Sequence, residues 1–204
     1  MTIAIAYKAK DGVWFGYDNY LSREDNGVTD YKFSAGACKH IDFGNFILLT
    51  AGDSIVNSIL QKILAEKVLE NKIEKCTNAK GMLLGYPTVD FALSLRKYFR
   101  GKGDDGKSFP NFEMLMISKK SIFIIDETCG CDKLDKFGAI GYGIAALVAF
   151  SLLKRIKTQE EIKAMEAPVL IRKLLESCNE NCTCVGNEYT IRKVGNHEQS
   201  DDGE

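Results

Sequence analysis

Short runs of branched and aromatic residues come in blocks separated by pairs of helical stretches, and this order constrains the fold of the 204-residue chain more than any other feature. Residues 3–8 and 13–18 flank Lys10-Asp11-Gly12, a turn signal, and read as a hairpin. The polar stretch SREDNGVTD, residues 22–30, reads as a loop. Residues 37–43 and 46–50 flank Gly44-Asn45 as a second hairpin. From residue 54 to 72, Ile55, Ile59, Ile63, Leu64, Val68 and Leu69 recur at three- and four-residue spacing, which predicts a helix with these on one face. Pro87 opens a second helix that runs through Val89, Leu93 and Tyr98 to residue 100. Strands then follow at 112–118 and 121–125, turning at Lys119-Lys120, with a third leading into 137–140. Helices at 144–156 and 160–175 precede a last strand at 189–194. Runs of strands beside runs of helices predict an α+β protein with helices segregated over antiparallel sheets, because an alternating parallel fold would interleave them.

With 45% apolar and 27% charged residues the chain can bury a core, and one domain is expected over residues 1–195, followed by the polar tail 196–204. The 27 Lys and Arg nearly cancel the 28 Asp and Glu, so nothing argues for long-range attraction to phosphate backbones or anionic lipid, and no nucleic-acid partner is expected. The longest apolar stretch, 143–153, is about half the roughly 20 residues a membrane helix needs. The N-terminus has no signal-peptide pattern, and a cytoplasmic location with no membrane association is the expectation. Seven cysteines, at 38, 76, 129, 131, 178, 182 and 184, form an odd set, and reduced thiols are expected. Only His40 and His197 are available to a histidine-dependent site, and His197 lies in the tail.

Gly101, Gly106, Lys107 and Ser108 match a phosphate-loop pattern, but that motif needs a strand before it and a helix after it. Here a helix precedes, Phe109-Pro110 follows, and Asp104 and Asp105 would put negative charge in the cradle, so the segment reads as a solvated loop. Cys129-Gly-Cys131 and the group Cys178, Cys182 and Cys184 lack the two-residue spacing of common zinc sites. No metal or cofactor is called for.

Thr2 would become the first residue on removal of Met1, and a free α-amine, with a reference pKa of about 8, can take the proton from its own residue's hydroxyl. Thr2 begins the first strand, Asp18 ends the second, Lys39 falls in the third, and Ala51-Gly52 closes the fourth just before a helix. Over nearly its whole length the chain resembles the proteasome β-subunit family, and in particular its bacterial two-component peptidase branch and related short proteasome-like proteins. The resemblance implies a four-layer αββα sandwich of the N-terminal nucleophile hydrolase type, two antiparallel sheets between helix layers.

It also implies roles for single residues. Thr2 matches the nucleophile, Asp18 the aspartate at the end of the second strand, Lys39 the catalytic lysine, and Gly52 the oxyanion-hole glycine. Ser22 falls where the family binds substrate backbone, and Thr50 and Ser54 where it lines the main specificity pocket. Gly141-Tyr142-Gly143 stands in place of a Gly-Ser-Gly turn, with tyrosine replacing the serine, while Glu180 and Thr183 are the nearest matches to an aspartate and a serine that support the site. The implied activity is hydrolysis of peptides or unfolded polypeptides through an acyl-enzyme on Thr2, in a homo-oligomeric ring that encloses its sites and, in some members, is fed by a separate ATPase unfoldase. Two other readings carry the same fold: a catalytically silent ring subunit, favoured if Tyr142 blocks the nucleophile, and an amidase acting on a small molecule.

Overall fold

The computed structural model describes residues 3–25, 28–34, 39–43, 46–65, 95–101, 110–128, 130–141, 144–155, 165–182 and 185–195. The chain opens with the antiparallel hairpin β1 (Ile3–Ala9) and β2 (Gly12–Asp18). Two late strands, β10 (Phe137–Gly141) and β11 (Tyr189–Lys193), flank that hairpin and complete a four-stranded sheet of order β10-β1-β2-β11. A five-stranded sheet holds β5 (His40–Asp42), β6 (Ile47–Gly52), β7 (Phe112–Ile117), β8 (Ile122–Ile125) and β9 (Cys131–Leu134) in sequence order. Every pairing in both sheets is antiparallel.

β1 explains how the layers meet. Its side chains alternate between two faces, as a strand's must, and both faces are covered. Ile3, Ile5 and Tyr7 share a buried cluster with Leu170, Ile171, Leu174 and Leu175 of α3 (Ala167–Asn181) and Ala145 and Ala149 of α2 (Ala145–Arg155). The alternate residues Ala4 and Ala6 instead join Phe15, Tyr17, Leu49, Leu115 and Ile117 between the two sheets. Alanines at these positions keep the β1 side of the inter-sheet core thin. A third cluster sets Leu48, Met114, Met116 and Phe123 of the five-stranded sheet against Val56 and Leu60 of α1 (Ser54–Ala65) and Leu95 and Phe99 of a helical stretch at 95–99. Each fully buried Leu, Ile or Phe contributes on the order of 1.5–3 kcal/mol.

Several expected elements differ in detail. The stretch expected as a loop, residues 22–30, overlaps β3 (Tyr20–Asp25) and β4 (Val28–Ser34), a two-stranded antiparallel sheet whose register shifts between Arg23 and Glu24. Asn26-Gly27, a hairpin-turn dipeptide, was the available signal, and the charged composition around it masked the strands. α1 buries Val56 and Leu60 and leaves Ile55 41% exposed, so its inner face is offset by one residue from the one read from the isoleucine spacing. Lys39 lies immediately before β5 instead of inside a strand. The expected strand into 137–140 is two strands, β9 and β10, that belong to different sheets. α3 starts at Ala167, not at 160, because Pro168 has no N–H to give and fits the first helical turn. Residues 66–94, which carry the end of the first expected helix and most of the second, lie outside the described residues, as do 102–109, 156–164 and the tail 196–204. Among the described residues no helix is long and apolar enough to cross a membrane.

Candidate active site

The end of the four-stranded sheet where β1 begins collects the polar groups. Ile3 stands opposite Gly141 of β10, and Asp18, the last residue of β2, stands opposite Tyr189 of β11. Asp18 is fully buried, and so is Lys39 at 2% exposure. Their ion pair is direct, with Lys39 Nζ donating to Asp18 Oδ1 at 2.7 Å. The same oxygen accepts from the Ile3 amide at 3.0 Å, and Oδ2 accepts from the Gly186 amide at 3.2 Å. A buried carboxylate is tolerable only when a counter-charge and hydrogen bonds replace its water, and three separate chain segments supply them here.

Gly186 is the partner that sequence reading missed. It sits between α3 and β11, where a Cβ would run into the Tyr20 ring, so only glycine lets the loop's N–H come this close to Asp18. The Asn179 side-chain amide donates to the Val185 carbonyl at 2.8 Å and holds the same loop to the helix. Tyr189 packs beside this carboxylate, and burial, with Glu176 and Asp18 adding to it, holds its phenol above the usual value and therefore neutral.

Gly52 ends β6 with φ +114°, in the region that favours glycine, and a Cβ there would collide with the Asn111 carbonyl oxygen. The junction is closed reciprocally. The Asp53 amide donates to the Asn111 carbonyl at 2.8 Å, and the Asn111 amide donates to Asp53 Oδ2 at 2.8 Å. This pair fixes the turn from β6 into α1. Thr50 is buried, and its hydroxyl donates to Asn57 Oδ1 of α1 at 2.6 Å, so that hydrogen is committed within the fold. From the five-stranded sheet Glu113 reaches across to accept from the Gly141 amide at 3.3 Å. Sequence reading gave Glu113 no role, and an isolated acidic residue in an apolar strand was the one signal available.

Thr2, Tyr142, Gly143 and Thr183 lie outside the described residues, as do the side chains of Ser22 in β3 and Ser54 at the start of α1. Glu180 is exposed on the last turn of α3, and the residue of this region that meets Asp18 is Gly186. Among the described residues no group of three His, Cys, Asp or Glu side chains could hold a metal. The Cys131 thiol is pushed up to about 12 by burial and by Asp132 and Asp126, which opposes the thiolate form that metal ligation needs.

No family model matches the sequence, and no curated protein matches it. Solved structures do. The chain superposes on eukaryotic HslV from Trypanosoma brucei with a TM-score of 0.65 at 15% identity, covering 95% of this chain and 99% of that one. The fold is of the proteasome type. A Gly-1 mutant of Anbu from Hyphomicrobium sp. strain MC1 aligns with a TM-score of 0.60 at 16% identity, over 95% of this chain and 81% of that one. At these identities the likeness is one of fold, and chemistry has to be argued from the residues themselves.

Proposed function

We propose that the chain is a threonine peptidase of proteasome type, with Thr2 as the nucleophile once Met1 is removed. The observation that carries this reading is the buried Asp18–Lys39 pair, because Asp18 also holds the Ile3 amide, the peptide N–H that joins the strand to Thr2. That N–H belongs to the peptide bond between Thr2 and Ile3, whose Cα atoms lie about 3.8 Å apart. In this mechanism the Thr2 α-amine takes the proton of its own hydroxyl. Lys39 favours the developing alkoxide by charge, and Asp18 orients Lys39. The Gly52 amide, on a backbone held by the Asp53–Asn111 pair, donates to the oxygen that becomes negative on attack. The hydroxyl forms an ester with the acyl part of the substrate, the amine leaves with a proton, and water then hydrolyses the ester.

Around this centre Ser22, Thr50 and Ser54 contact substrate, and Gly141, Tyr142, Gly143 and Thr183 support the nucleophile, while the exposed Glu180 gives up its expected place to Gly186. The fold is read as four layers, helices outside two sheets, in keeping with its three buried clusters. The substrate is a peptide or unfolded polypeptide and the working form a homo-oligomer. The test is intact mass together with Thr2→Ala. Loss of Met1, hydrolysis of a fluorogenic peptide by the wild type, and no hydrolysis or covalent labelling by a threonine-directed electrophile in Thr2→Ala are expected. A retained Met1, or activity that survives the substitution, overturns the reading.

A further inference from the structure

One residue along from the Asp18–Lys39 pair, on both segments, a second polar contact joins the two sheets. Tyr17 precedes Asp18 at the end of β2, and His40 follows Lys39 at the start of β5. The Tyr17 hydroxyl and His40 Nδ1 lie 2.8 Å apart. The imidazole also packs against the Phe15 and Tyr17 rings, each with a centroid separation of 5.7 Å. Two consecutive residues of the four-stranded sheet are thus clasped to two consecutive residues at the edge of the five-stranded one. Lys39 itself stands immediately before β5, joined to His40 by one peptide bond.

We propose that Tyr17 and His40 are positioning residues for Lys39, which hold its backbone at the sheet edge and make the charge near Thr2 respond to the protonation of His40. This rests on the peptidase reading for its consequence in catalysis, although the clasp itself does not. Neutral His40 can accept the Tyr17 proton at Nδ1, whereas the imidazolium must donate there, so protonation forces the hydroxyl to turn. It also places a second positive charge one residue from Lys39. Tyr17 at the end of β2, Arg192 from β11 and Asp42 on its own segment act on the imidazole, while β6 sets uncharged Leu49 opposite its residue. Burial, then Arg192, holds His40 below its ordinary value, against the pull of Asp42, so the neutral form prevails at neutral pH.

The experiment uses the full chain labelled with [ε-13C]lysine, in wild type, Tyr17→Phe and His40→Gln, with the Lys39 resonance assigned through Lys39→Arg. Tyr17→Phe keeps the ring that packs on Phe15, which guards against a mere folding defect. In the wild type the Lys39 resonance should shift as pH falls below 6.5, in step with the His40 ring resonances. That shift should vanish in His40→Gln and be displaced in Tyr17→Phe. With a fluorogenic peptide, both variants should lose roughly ten- to a hundredfold in kcat with little change in KM, and the double variant should lose no more than the worse single one. A Lys39 resonance indifferent to pH in this range and to both substitutions overturns the proposal, and so do losses that simply add. A Lys39 resonance that responds as described in a protein with no peptidase activity upholds the clasp and removes the peptidase reading instead.

Discussion

Asp18 and Lys39 meet in a setting that water cannot reach, so each is the other's solvent. Lys39→Ala would leave the carboxylate without its counter-charge and, among the described residues, with the Ile3 and Gly186 amides, and removing one partner of such a pair costs about 3–5 kcal/mol. Asp18→Asn combined with Lys39→Met should recover most of that stability in a denaturant titration and none of the hydrolysis, since an unassisted hydroxyl is a poor nucleophile at neutral pH. Recovered activity would show that the pair is structural alone. His40 gives a separate, pH-dependent signature. Its value in the folded chain lies below the ordinary 6.5, so between those two values the unfolded chain binds more protons and stability rises with pH. The contribution is therefore complete above about pH 6.5 and is lost as pH falls through the folded value. The thermal midpoint should drop in mild acid for the wild type, and His40→Gln should flatten that limb.

Among the elements, the β6 to α1 junction does the most with the fewest residues. Gly52 holds a conformation other residues resist, and the space for a side chain is taken by the Asn111 carbonyl. Gly52→Ala should cost about 1–3 kcal/mol and, by moving the proposed oxyanion donor, lower kcat by roughly a hundredfold or more, which steady-state kinetics with a folding control would read. The Ala51-Gly52-Asp53 run was legible as a strand end ahead of a helix, yet its lock was not, because Asn111 lies far along the chain. α1 shows a similar limit. Its period was visible in the isoleucines, but Val56 and Leu60 face the five-stranded sheet while Ile55 does not. Periodicity locates a stripe to within a residue, and packing against a particular sheet settles which edge of the stripe goes in. β3 and β4 were hidden for a different reason. Apolar alternation reports burial of one strand face, and a polar ribbon can pair by its backbone without showing it.

At the scale of the whole molecule, most of the exposed large apolar side chains among the described residues lie on or beside the helices over the four-stranded sheet, Ile55 on α1 being the exception. Ile144 just before α2 and Leu147 within it are 57% and 64% exposed, Phe150 is 37% exposed, and Val169 on α3 is 44% exposed. Exposed apolar side chains are what an association surface requires when they adjoin one another. If this face packs subunits of the proposed homo-oligomer, Leu147→Glu should shift the light-scattering mass toward the monomer while the circular dichroism spectrum is retained. An unchanged mass would place the contacts elsewhere.

Much of this protein is legible in local spacing. Hairpins on either side of Lys10-Asp11-Gly12 and Lys119-Lys120, the helical stripes, and an aspartate closing the second strand are statements about neighbours in the chain, which local sterics and hydrophobic periodicity decide. The tertiary structure decided what converges. β10 leaves the run of strands it follows in sequence and pairs with β1, which brings Gly141 opposite Ile3. Gly186 reaches Asp18 across 168 positions, and Glu113 reaches Gly141 between sheets. His40 meets Tyr17, although each reads as an ordinary strand-end residue. Such contacts arise from which sheet edge a strand adds to and how closely two sheets pack, and these depend on the summed burial of both faces of β1, a quantity that no local window of sequence contains.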